Sequence, residues 1–136
     1  MKRWIRALLF SFAFLPVFPT LAQTPVREAP RDVQPGRMVF TQPPVVLLDE
    51  RPDRLSPGAR IRSTQNMLVL SASIVNQPLP VVYRRDSSGL LHEVWILTEA
   101  EYTRLGGRAP GTNPESLREF NNVLALIFGS RGEGTR

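Results

Sequence analysis

Apolar and polar positions divide the chain into short strands followed by two helices. In residues 37–42, Met38 and Phe40 fall on one side of a short strand. Pro43 and Pro44 interrupt it, and the apolar run 45–48 resumes before Asp49 and Glu50. Proline supplies no ladder donor, so the pattern predicts an edge strand at best. Residues 51–58, with Pro52, Pro57 and Gly58, read as a turn-rich connection. Residues 59–63 alternate, with Ile61 directed opposite to Arg60 and Arg62. Residues 67–75 read as a longer strand. Leu68, Leu70, Ala72 and Ile74 form its more continuously apolar side and are predicted to face the core, away from Met67, Val69, Ser71, Ser73 and Val75.

The segments 81–86 and 90–97 predict a hairpin around Asp-Ser-Ser-Gly. Asp86 and Gly89 suit the first and last positions of a type I turn. With Gly89 left-handed this becomes a three-residue loop with a bulge. That register sets Asp86 opposite Leu90, Arg84 opposite His92, Val82 opposite Val94 and Val81 opposite Trp95. A two-residue loop would instead set Tyr83 against His92.

Beyond the hairpin the period becomes helical. Thr98 and Glu101 form a capping box, Leu105 ends the helix and Gly106-Gly107 terminates it. Asn113 caps a second helix with Pro114 at its first position. Leu117, Phe120, Leu124, Ile127 and Phe128 follow its spacing, and Gly129 is the expected stop. The predicted class is α+β: a small antiparallel sheet of about four strands packed by one or two C-terminal helices. The helix run 123–128 is apolar on more than one face, which suits deep burial or a partner or homodimer contact.

The N-terminus changes the organisation. Lys2, Arg3 and Arg6 precede an uncharged apolar stretch over 7–18, and Thr20-Leu21-Ala22 places small residues at the −3 and −1 positions. This is the layout of a cleavable signal peptide over 1–22, cut between Ala22 and Gln23. The stretch is shorter than a spanning helix needs, so no membrane span is expected after cleavage. The remaining expectations are a flexible leader over 23–36, one domain over 37–129 and a disordered tail over 130–136.

Cleavage would also change the charge. The whole chain carries +5, but the mature chain holds fourteen basic against twelve acidic residues, a net +2. Without a basic tract this excludes an electrostatic nucleic-acid footprint. Every mature cation is arginine, and there is no cysteine, so disulfides cannot hold the fold.

Few positions suit chemistry. His92 is the one histidine, and without cysteine or a second histidine it makes a poor metal centre. No catalytic residue, metal or cofactor is assigned. Ser87-Ser88 is explained by its turn, and the segment 106–112 lacks the ending of a phosphate loop. Arg60 and Arg62 share a strand face, which Arg84 or Arg85 can join. With His92 they form the candidate ligand set Arg60, Arg62, Arg84 and His92, suited to an anionic ligand or envelope polymer.

The stretches LSPGARIRSTQNMLVL and VVYRRDSSGLLHEVWILTEAEY, over 55–102, resemble a recurring segment of small uncharacterised exported proteins of Gram-negative bacteria. The resemblance implies a periplasmic location and brings no functional motif. The expected function is a non-catalytic accessory or protein-interaction domain. The anionic-ligand module is the alternative, and a hydrolase built on His92 ranks last.

Overall fold

A computed structural model describes residues 29–131. The expected signal segment with its Ala22–Gln23 junction, most of the expected leader and all but the first two residues of the expected tail lie outside them. The chain is α+β: strands β1 (Gln34–Gln42), β2 (Val45–Leu48), β3 (Arg51–Arg62), β4 (Pro78–Arg85) and β5 (Leu91–Ile96), then helices α1 (Glu99–Arg104) and α2 (Pro114–Ser130). The sheet has five strands and closes on itself in the order β1-β2-β3-β5-β4. Four pairings are antiparallel, whereas β3 and β5 run parallel, with Ile61 beside Val94 and Arg62 beside Trp95. This is the Greek-key topology of five-stranded barrels of the OB type.

Closure changes the role of the prolines. β1 and β2 are internal strands of the barrel, not edges, because Pro43-Pro44 occupies the turn between them. The predicted connection 51–58 is the first part of β3. The Leu55 amide donates to the Pro44 carbonyl at 2.8 Å, and antiparallel alternation then leaves Pro52, opposite Leu47, in a non-hydrogen-bonded pair. Its missing donor faces away from β2 and costs no ladder bond. Asp49 and Glu50 make the β2–β3 turn with φ of 49° and 66°. Asp49 holds it to β1 by accepting the Arg37 amide at 2.8 Å.

Inward-facing side chains fill the barrel. Met38, Phe40, Val46, Val81, Leu91 and Val94 are fully buried, joined by Leu48, Leu55, Ile61, Tyr83 and Ile96. Met38 and Phe40 share the inner face, as their spacing predicts. Gly36 also points inward. A Cβ there would come within 3.0 Å of Leu48 and 3.3 Å of the Tyr83 ring, so no side chain fits without movement.

The predicted strand 67–75 does not form. Residues 67–69 add one antiparallel rung to β3, the chain turns into a 3-10 helix over Ser71–Ile74, and Val75 bridges β1 at Phe40. Val69 and Ile74 pack on the barrel core, whereas Leu68 and Leu70 project outward. The predicted inward side therefore fails at Leu68, Leu70 and Ala72. Leu68 lies opposite the outward-facing Arg62, so alternation sets Leu68 and Leu70 outward and Val69 inward, and the 3-10 turn ends the alternation before Ala72.

The helices lie outside the barrel over β4 and β5. Val82 and Trp95, paired across the two strands, face outward under Tyr102, Leu105, Phe120, Leu124, Ile127 and Phe128. Both predicted helix starts are present. Thr98 accepts the Glu101 amide at 3.2 Å while the Glu101 carboxylate accepts the Thr98 amide at 2.8 Å. Asn113 accepts the Glu115 amide at 3.1 Å. Gly106 and Gly107 take positive φ after α1. Gly129, however, is inside α2, which runs to Ser130.

The domain extends past both expected limits. Val33 is buried in the outer layer and β1 starts at Gln34. At the other end Arg131, expected in the tail, is fixed. Its side chain is 6% exposed, pairs with Glu101 at 2.7 Å, donates to the Ile96 carbonyl at 2.9 Å and stacks on Phe128. One arginine thus ties the end of α2 to the start of α1 and the end of β5.

Candidate functional site

The hairpin places the candidate residues, and its register turns on one position. Gly89 has φ +81°, the Gly89 amide donates to the Asp86 carbonyl at 3.0 Å, and the Asp86 amide donates to the Leu90 carbonyl at 2.8 Å. The three-residue loop is therefore as predicted. The pairing then shifts. Arg85 lies opposite Leu91, but Arg84 lies opposite Glu93, Val82 opposite Trp95 and Val81 opposite Ile96. His92 is the extra residue of a bulge, so the predicted pairs Arg84–His92, Val82–Val94 and Val81–Trp95 are each displaced by one.

That shift decides the electrostatics. Glu93 stands between Arg84 on β4 and Arg60 on β3, and it forms its ion pair with Arg84. Arg62 lies beside Trp95 on one side and opposite Leu68 on the other. Arg60 and Arg62 share the outer face, and neither has a salt-bridge partner among the described residues. Arg84 borders a separate cleft with Asp32, Gln34, Tyr83 and Arg85. The four candidate residues thus divide into an Arg60–Arg62 pair, an arginine neutralised by Glu93, and His92.

His92 has its own partner. β3 also departs from register between Leu55 and Arg60, so irregular stretches of β3 and β5 meet there. Across them Ser56 Oγ lies 2.9 Å from His92 Nδ1. Ser56 is 6% exposed. With the proton on Nε2 the imidazole accepts from the hydroxyl, which is the nucleophile–base half of a hydrolytic arrangement. A hydrolase also needs donors for the oxyanion and a group to orient the base. Among the described residues His92 has no carboxylate hydrogen-bond partner, and the neighbouring Glu93 is held by Arg84. The arrangement also has a simpler role, satisfying two polar groups where the strands lose their ladder.

Arg85, the alternative to Arg84, ties the end of β4 to β3 and to the hairpin loop. It pairs with Asp53 at 2.6 Å, donates to the Gly89 carbonyl at 2.8 Å and lies over the Tyr83 ring at 5.5 Å. The hydrogen bond from Arg85 holds the Asp53 carboxyl below the usual range, and burial pushes the Tyr83 hydroxyl up. These groups serve the fold.

The feature missed by sequence reasoning lies in the β3–β4 connection. Met67, Leu68 and Leu70 are 66%, 67% and 81% exposed. A shallow cleft of about 260 Å³ adjoins Leu70 between Pro43, Pro44, Ala59 and Val69. Three large exposed aliphatic side chains within four residues are an unusual surface. The alternating pattern assigned Leu68 and Leu70 inward, and no residue within the run marks the other face as the buried one. All six aromatic side chains of the described residues are buried, which leaves no platform there for stacking bases or sugars.

No group of three or more His, Asp or Glu among the described residues is placed to hold a metal ion, and no described helix is long and apolar enough to cross a membrane. The architecture defines a closed five-stranded barrel with a helical layer, which by itself assigns no activity. No family model, curated protein or solved structure matches the chain, so no functional family is recognised.

Proposed function

We propose that this chain is a non-catalytic accessory domain of the periplasm that works by binding another protein. The observation that carries the reading is the strip Met67, Leu68 and Leu70. These side chains stand in water although the segment is anchored at both ends, by Val69 on β3 and by Asn76 on β1. An anchored aliphatic strip suits a protein surface more than a soluble sugar or nucleotide. The signal-peptide pattern supports export, and the absence of exposed aromatics among the described residues weighs against an oligosaccharide or single-stranded nucleic-acid ligand.

The test is site-specific photo-crosslinking at position 70 in the intact periplasm. A discrete adduct, lost with Leu68→Asp, is the expected result. A protein that stays monomeric and yields no adduct at position 70 overturns the reading. The second reading, an anionic envelope polymer, draws on the unpaired guanidinium groups of Arg60 and Arg62. It requires polymer binding that falls in Arg60→Ala and Arg62→Ala.

A further inference from the structure

A closed barrel hides its strand edges, but the β3–β4 connection restores one. The Ser63 amide donates to the Met67 carbonyl and the Val69 amide to the Ile61 carbonyl, both at 2.8 Å. These bonds flank Arg62 and Leu68, which makes them a non-hydrogen-bonded antiparallel pair. The Leu68 amide and carbonyl therefore point away from β3, and neither has a hydrogen-bond partner among the described residues. The edge is also held in place. The Met67 amide donates to Ser63 Oγ at 3.2 Å, and Ser73 donates to the Leu70 carbonyl through both its amide, at 3.0 Å, and its hydroxyl, at 2.7 Å.

The surroundings are cationic. No acidic residue lies between Asp53 and Asp86, and although Arg84 and Arg85 are held by Glu93 and Asp53, Arg60 and Arg62 have no ion-pair partner among the described residues. Arg62 shares the outer face with Leu68, as cross-strand neighbours do, and Arg60 lies two residues further along that face. Glu93, the carboxylate beside Arg60, is held by Arg84.

Building on the protein-binding reading, we infer that this edge takes up an extended segment of a partner protein by strand addition, and that the segment is apolar and acidic. The Leu68 amide and carbonyl supply the backbone pairing. An apolar side chain of the segment covers Leu68 and Leu70. A carboxylate two positions along lies on the same face, about two strand spacings (~10 Å) from the Arg62 backbone and within reach of its long side chain. A second copy of this chain is a poorer occupant, because edge-to-edge pairing would bring arginines together with no acidic residue in that segment of either copy.

Three capped peptides test this against the full-length exported protein. One has valine and glutamate two positions apart in a threonine background. The second has lysine in place of glutamate, and the third has N-methylvaline in place of valine, which removes the amide donor aimed at the Leu68 carbonyl. NMR titration should show the glutamate peptide binding and shifting the Leu68 amide, the lysine peptide at least about tenfold weaker, and the N-methyl peptide silent. A tenfold preference corresponds to about 1.4 kcal/mol. Arg62→Glu should reverse the charge preference, and Leu70→Asp should weaken the glutamate peptide, with the exposed positions leaving the circular dichroism spectrum unchanged. Equal binding of the charged peptides, an unmoved Leu68 amide, no binding, or a dimer abolished by Leu70→Asp each overturns the inference. If the peptides fail while the adduct at position 70 persists, strand addition is wrong and the protein-binding reading stands. Loss of both removes that reading as well.

Discussion

Phe40 and Phe120 are both buried aromatic side chains, but they belong to different constructions. Phe40 sits inside the barrel, on a strand bonded to neighbours on both sides. Phe120 lies outside it, on a helix whose backbone bonds are its own and which touches the sheet through side chains. The barrel interior exists only when all five strands are paired. The outer layer is an amphipathic helix laid on a finished surface, capped at its start by Asn113 and fastened at its end by Arg131. The difference teaches that burial alone does not rank stability here: what matters is how much else must open with each residue.

The comparison can be broken by mutation. Phe40→Ala should cost about 3–5 kcal/mol and unfold the whole domain, as read by urea denaturation followed by circular dichroism. Phe120→Ala faces an open cleft of about 350 Å³ bordered by Pro30, Val33 and Leu117, where neighbours can relax, so a smaller loss of about 2–3 kcal/mol is expected. Amide exchange supplies the sharper test, since α2 should open at a lower free energy than β4 and β5. Identical protection in both would make the two layers one cooperative unit.

The fastening of the outer layer comes next. Arg131→Met keeps the packing on Phe128 but leaves the half-buried Glu101 without its cation, for about 1–3 kcal/mol. Trp95 emission, measured in a Trp4→Phe background, should report it, and adding Glu101→Gln should recover part of the loss. Acid tests the same contact. Burial alone would raise the Glu101 carboxyl, but hydrogen bonds from Arg131 and the Thr98 amide and the Arg131 charge outweigh it and hold it below its ordinary value. A carboxyl lowered in the folded state stabilises the fold above its unfolded value, about 4.3, and that contribution is lost as pH falls through the folded value. Thermal unfolding should therefore show a flat melting temperature from neutrality to about pH 5 and a decline below about pH 4. The decline should be shallower with Glu101→Gln.

Smaller effects belong to the hairpin. Gly89→Ala places a Cβ at a left-handed position and should cost about 1 kcal/mol in thermal unfolding. Ser56→Ala should cost about 1 kcal/mol and leave the barrel otherwise intact. Ester hydrolysis that is abolished by this change would give the Ser56–His92 pair a catalytic role and favour the hydrolase reading.

Local signals were legible where a few neighbouring residues satisfy one another. The capping box at Thr98, the Asn113 cap, the Asp86–Gly89 turn and the inner pair Met38 and Phe40 all follow from the residues alone. Three features were not. The β2–β3 turn uses Asp49 and Glu50 at positive φ, where Asn-Gly or Asp-Gly is the familiar signature, so Pro52 looked like part of a loop. The bulge at His92 has no local marker; it answers the irregularity of β3 around Ser56, its parallel neighbour. The exposure of Leu68 and Leu70 follows from the register that sets Leu68 opposite Arg62, on the outer face of β3. The candidate site was legible only as residue types: Arg60 and Arg62 do share a face, but Arg84 is neutralised by Glu93 because of the bulge.

The sequence by itself determined the α+β class, the helix limits at their starts, the hairpin turn and the outward direction of Arg60 and Arg62. Each depends on interactions within a few residues, or on a period of two or 3.6 that the chain carries along itself. Tertiary structure decided that the sheet closes through a parallel β3–β5 pair, that His92 bulges to meet Ser56, that Arg131 is buried, and that Met67, Leu68 and Leu70 face water. Those outcomes depend on which distant strand lies alongside, because hydrogen-bond register is a property of two strands and cannot be read from either one.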